Sequence, residues 1–122
     1  IDIQGDTVQE RALCEMMESG VLARHIRHSM KIYRERLAFA TQEIQRVLGT
    51  SVGYRPPHGG LALWLTLPEH LTEPILRTRL AGKGIFIPIF HLTDGRMGVR
   101  IGYASLTKEE FSRVIEEIRR AL

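Results

Sequence analysis

Cysteine is almost missing from this 122-residue chain, and Cys14 stands alone. A single thiol excludes an intrachain disulfide. No lysine or histidine flanks it to mark it as a reactive thiolate, so it is expected as a small buried hydrophobe on a helix face. No apolar run approaches the roughly 18 residues of a membrane span, and no signal-peptide pattern opens the chain. No membrane partner is expected, and the expected location is the cytoplasm. A glycine-rich phosphate loop, a nucleophile elbow and a Cys/His zinc set are all lacking. Lys31, Lys83 and Lys108 are the only lysines, on a long helix, in a turn and at a helix start. None lies where an imine-forming amine would be prepared. The acids are dispersed over helix surfaces, so no general acid and base pair up. His25 and His28 sit one helical turn apart without a third ligand nearby, and no metal is expected. No catalytic, metal or cofactor-holding residue is therefore assigned, and the chain alone is not expected to be an enzyme.

What is present is ordinary globular composition, 43% hydrophobic and 25% charged, with a formal net charge of +3. The basic residues are spread along the chain, which does not by itself indicate nucleic acid. The length suits one domain, 1–122, with a core of its own. The chain opens on Ile1 rather than Met and is expected to be a piece excised from a longer protein.

Taken in order, Ile1 to Gly5 reads as an opening segment. Asp6 is an N-cap candidate with Gln9 at the capping-box position. Val8, Ala12, Leu13, Met16 and Met17 then recur at helical spacing, the methionines as expected core filler. Ser19-Gly20 stops that helix. From Leu22 through Ile26, Met30, Tyr33, Leu37, Ala40 and Ile44 to Val47, apolar residues step by three and four. The spacing predicts one helix over 23–48, roughly 39 Å long. A compact domain of this size is roughly 35 Å across, so such a helix suits a strut toward a larger neighbour. Arg24, Arg27, Lys31 and Arg34 read as its solvated face.

Beyond Gly49 the pattern turns to strands. Residues 51–55 predict a short edge strand ended by Pro56-Pro57. The continuous apolar run 61–67 predicts a central strand covered on both faces. A helix is expected over 71–80 with Ile75, Leu76 and Leu80 inward, then a third strand over 85–90, and a turn at Thr93-Asp94-Gly95-Arg96. Thr107 and Glu110 form a capping-box signature for a last helix lined by Phe111, Val114, Ile115, Ile118 and Leu122. The expected architecture is α+β: a small, mainly antiparallel sheet with helices on one face, preceded by a long helix.

The chemistry concentrates on Gly98-Val99-Arg100-Ile101-Gly102-Tyr103-Ala104. Strand alternation sends Val99, Ile101 and Tyr103 to the core and Arg100, Gly102 and Ala104 to the other face. A guanidinium there, beside small residues, offers paired donors that fit a carboxylate. Spacing alone favours the plainer reading, an arginine on a wet sheet face beside neighbouring Glu. His58-Gly59-Gly60 forms a turn, and Gly59 and Gly60 either let backbone approach a ligand or simply make that turn tight.

Four stretches carry a resemblance. They are Gly5-Asp6-Thr7-Val8-Gln9; His25-Ile26-Arg27 with Tyr33-Arg34-Glu35-Arg36; Gly59-Gly60-Leu61-Ala62-Leu63-Trp64-Leu65; and Val99-Arg100-Ile101-Gly102-Tyr103-Ala104. Together they resemble the C-terminal part of fold-type I, pyridoxal-phosphate-dependent aminotransferases. They are most similar to the aminotransferase-like half of the MocR branch of GntR transcriptional regulators. The resemblance covers essentially the whole chain. It implies that Arg100 pairs with the α-carboxylate of an amino acid or 2-oxo acid. It also implies that pyridoxal phosphate, its Schiff-base lysine and its phosphate cup belong to a preceding large domain, with none of the cofactor held here. DNA would be read only by a winged helix further upstream, and the full-length protein would be a homodimer. Three functions follow. The favoured one is the effector domain of a MocR-type regulator; a second is the small domain of a stand-alone aminotransferase; the third is an independent α+β interaction module.

Overall fold

The computed structural model describes residues 5–122; Ile1–Gln4, most of the expected opening segment, lie outside the described residues. The chain divides after Arg34 into two compact units.

In the first unit, helix α1 runs Thr7–Glu18. Asp6 caps it, its carboxylate accepting from Val8 N (3.0 Å) and Gln9 N (3.3 Å). The expected reciprocal bond from the Gln9 side chain is not formed among the described residues. Gly20, at φ 78°, makes the turn into helix α2, Val21–Val47. The expected burial of α1 is overturned: no residue of it is buried, Val8 is 78% and Met17 62% exposed, and Cys14 is exposed. Its apolar stripe has the right period, yet every residue of the helix is exposed. The same holds for the start of the α2 seam, where Ile26 and Met30 are exposed and burial begins at Ala40. Arg24, Arg27, Lys31 and Arg34 are exposed, as a solvated face requires.

In the second unit, Gly49–Ser51 forms one 3-10 turn, and four strands follow with two helices. The strands are β1 Gly53–Tyr54, β2 Ala62–Thr66, β3 Ile89–His91 and β4 Met97–Gly102; the helices are α3 Glu73–Ala81 and α4 Lys108–Ala121. The sheet has the order β1-β2-β4-β3 and every pairing is antiparallel. Leu63, Leu65, Val99 and Ile101 point to the helix side, where they meet Ile44, Leu76, Leu80, Ile115 and Ile118 in a core. Thr107 Oγ1 accepts from Glu110 N at 3.1 Å while Glu110 accepts from Thr107 N at 2.8 Å, completing the expected capping box.

Three expectations are corrected here. Strand β2 is central but buried on one face only, with Ala62, Trp64 and Thr66 half-exposed on the other. The third strand begins after Pro88, not at Ile85, because proline lacks the ladder donor; Pro88 contributes only its carbonyl, to Arg100 N at 3.2 Å. Ile75 is 54% exposed, since Leu76 and Leu80 alone take the inward face of α3.

Within α2, the buried Glu43 pairs with the exposed Arg46 one turn on. Glu43 is buried and accepts two hydrogen bonds from the Arg46 guanidinium, at 3.1 and 2.6 Å. Those bonds hold its carboxyl below the usual range, against the opposing effect of burial.

Candidate functional site

Arg100 stands on the sheet face opposite the helices. Its neighbours Val99 and Ile101 are buried, so the alternation of β4 puts the guanidinium outward, and Arg100 is exposed. Among the described residues it makes no ion pair and no side-chain hydrogen bond. The expected anchor is thus uncommitted among the described residues.

Two features hold its strand in place. Tyr103, buried at the end of β4, donates its hydroxyl to the Gly60 carbonyl at 2.5 Å, and Tyr103 N bonds Leu61 O at 3.1 Å. Arg36 of α2 donates to the Ala104 carbonyl one residue further on. The register is therefore fixed from both sides.

Across the ladder Arg100 faces Trp64. Leu67 N and Tyr103 N bond Met97 O and Leu61 O, whereas Arg100 N turns the other way, to Pro88 O. Trp64 and Arg100 are hence a non-hydrogen-bonded pair, the arrangement that brings side chains closest. Trp64 also meets Phe90, ring centroids 5.2 Å apart and tilted 39°. Gly98 makes room for this aromatic pair. Sequence reading assigned Gly98 no role, although a glycine inside a strand is a signal of close approach.

Arg100 is also one of the residues lining a cleft of about 480 Å³ between the 84–88 segment and α4, which Ile101 and Val114 line from the helix side. Ile85, Phe86, Ile87 and Pro88 form one side of it, Gly102, Ser105 and Leu106 the other. Glu110 and Arg113 also reach it. Glu110 is engaged in the helix cap, and Arg113 donates to the Lys83 carbonyl at 2.7 Å. Gly59 and Gly60 do not line this cleft; they precede β2, exposed, with Gly60 at φ 86°. A positive φ and the bond from Tyr103 give Gly60 a turn role.

Nothing here fits pyridoxal phosphate as a resident group. No lysine lines the cleft, and the first turn of α4 is closed by its own cap instead of offering free N–H groups to a phosphate. Among the described residues no cluster of three or more metal-ligating side chains occurs, and no helix is long and apolar enough to cross a membrane.

This helix-backed antiparallel sheet is the fold of the aminotransferase small domain, and the chain is aminotransferase-like along its length. It is similar to 2-aminoadipate transaminase of Thermus thermophilus, 26% identical over 125 residues, covering 99% of this chain and 31% of that protein. Aromatic-amino-acid aminotransferase 1 of Thermococcus litoralis is 21% identical over 122 residues, covering 97% of this chain and 29% of its own. The uncharacterized HTH-type transcriptional regulator YdfD of Bacillus subtilis is 24% identical, covering 96% and 25%. Among solved structures, the α-aminoadipate aminotransferase LysN of Thermus thermophilus, complexed with N-(5'-phosphopyridoxyl)-L-leucine, superposes with a TM-score of 0.71 at 25% identity. It covers 88% of this chain and 28% of that one. A multiple substrate aminotransferase of Thermococcus profundus gives 0.74 at 20% identity over 88% of this chain and 28% of its own, a likeness of fold. No family model matches the chain. The chain spans about three tenths of the length of the curated relatives it matches.

Proposed function

We propose that residues 1–122 are the C-terminal small domain of a pyridoxal-phosphate-dependent, aminotransferase-like protein and form one wall of its amino-acid site. In this reading Arg100 grips the carboxylate of an amino acid or 2-oxo acid. The observation that carries it is a guanidinium without a partner among the described residues, held on a paired strand on the sheet face opposite the helices. A bidentate Arg–carboxylate pair fits that geometry. The large domain of the same chain supplies the lysine and phosphate cup that these residues lack. The cofactor supplies the imine chemistry when bound there; Arg100 binds and orients the acid. Gly59 and Gly60 remain candidates for backbone lining the site, beside the turn role of Gly60. A cytoplasmic homodimer belongs to the same reading.

Two parents compete. A stand-alone aminotransferase is supported by the transaminase relatives and the LysN superposition. A MocR-type regulator, the reading favoured on the opening Gly-Asp-Thr-Val-Gln stretch and the His-Ile-Arg helix, is supported by the YdfD match. An upstream winged helix-turn-helix and sequence-specific DNA binding by the full-length protein decide for the regulator; their absence with measurable amino transfer decides for the enzyme.

The site itself is tested by a crystal structure of the full-length protein with an amino acid bound. Expected is its carboxylate within hydrogen-bond distance of both outer guanidinium nitrogens of Arg100. A carboxylate held elsewhere, with Arg100 in solvent, overturns the proposal.

A further inference from the structure

We infer that Trp64 is a positioning residue for the carboxylate anchor, directing the Arg100 side chain over Ala62 and Gly102; the inference rests on the carboxylate-binding reading above. Trp64 stands directly across the ladder from Arg100, in a non-hydrogen-bonded pair. The two side chains therefore leave the same sheet face about 4.5–5.5 Å apart at Cβ. The indole does not stand upright there. It lies across β4 over Gly98, where an added Cβ would be 2.9 Å from Nε1. On β3 it meets the ring of Phe90, the residue that faces Gly98 in the register. Two aromatic rings thus fill the Gly98 side of Arg100 across three strands.

The Gly102 side is open. Gly102 faces Ala62 in the register, so nothing longer than a methyl group rises from either position. A Cβ built on Gly102 would touch only Ser105 Oγ at 3.8 Å and the Leu61 carbonyl at 3.9 Å, both ordinary contacts. An unconfined arginine samples many rotamers, and a carboxylate that binds it has to order them. With the Gly98 side filled, the Arg100 guanidinium is directed over the Ala62–Gly102 surface. Fewer conformations are then lost when the acid binds, and the acid is received on that side. Trp64 acts on the acid through Arg100, without touching it.

The test pairs crystal structures of the full-length protein with calorimetric titration of L-leucine and of 3-methylbutylamine, its decarboxylated counterpart. Leucine is the amino acid of the adduct bound in the LysN structure. Both measurements are made on the wild type, Trp64→Ala, Trp64→Phe and Gly102→Val. Expected in the wild type is the guanidinium over Ala62 and Gly102; in Trp64→Ala it spreads toward Gly98. Leucine affinity falls about fivefold in Trp64→Ala and stays within about twofold in Trp64→Phe, which restores a ring, while amine binding is unchanged in both. Gly102→Val fills the open surface and lowers the preference for leucine over the amine at least about fivefold; it carries the test if Trp64→Ala does not fold. A merely structural Trp64 weakens both ligands alike or neither, and that result overturns the inference. So does an unmoved Arg100 in Trp64→Ala, or an unchanged preference in Gly102→Val. With leucine's carboxylate on Arg100 in every structure, those results keep the anchor and remove the role of Trp64. If the wild type binds leucine no better than the amine, or holds its carboxylate away from Arg100, the carboxylate-binding reading falls, and the inference with it.

Discussion

The indole of Trp64 occupies the space over Gly98 where a side chain would stand: a Cβ on Gly98 would lie 2.0 Å from Cζ2 and 2.5 Å from Cε2. This contact fixes where the aromatic pair Trp64–Phe90 sits, and so what flanks Arg100 on the open sheet face. A glycine in the strand is the condition for it.

Gly98→Ala is therefore expected to destabilise the 122-residue chain by about 1–3 kcal/mol through overpacking. Trp64 has to leave its place, so its fluorescence maximum shifts as well. Urea denaturation followed by fluorescence checks both. An alanine variant of unchanged midpoint and spectrum would mean that the ring swings aside freely.

Acid stability follows from Glu43. Its folded pKa is depressed, by Arg46 first, so the stabilisation is complete above the ordinary glutamate value of about 4.3 and is lost as pH falls through the lower folded value. Glu43→Gln is expected to lower stability at pH 7 and to flatten the decline below about pH 4.3. Denaturation midpoints across that range give the answer. Parallel pH curves for both proteins would assign the acid limb to other carboxylates.

The apolar stripe of α1 yields a different expectation. Met17 is exposed, so Met17→Gln should change the stability of the 122-residue chain by less than about 0.5 kcal/mol. If the proposed large domain covers this stripe, the same substitution costs more in the full-length protein. Equal effects in both would leave the stripe as solvent-facing surface.

The parts of the fold written in local spacing were legible. Alternation at Val99, Arg100 and Ile101 placed the guanidinium on the open face, and Thr107 with Glu110 marked the start of α4. Less legible was anything that depends on what covers a face. The run 61–67 is apolar on both sides, yet Ala62, Trp64 and Thr66 are half-exposed on one of them. Periodicity in α1 identified a stripe that wants cover, and period alone does not say whether the covering atoms belong to the same unit. Pro88 displaced β3 because a missing donor outweighs β-propensity. The cleft beside Arg100 was invisible for a related reason: Ile85, Phe86 and Leu106 meet only through the sheet order β2-β4-β3.

The most direct measurement compares an amino acid with its decarboxylated amine in the full-length protein, before and after Arg100→Ala. Losing one partner of a desolvated charge pair costs about 2–5 kcal/mol, so the amino acid should bind Arg100→Ala at least roughly thirtyfold more weakly. The amine, with nothing for the guanidinium to hold, should bind both proteins alike, and the preference for the acid should disappear. A variant that keeps that preference would contradict the claim that Arg100 is the carboxylate anchor.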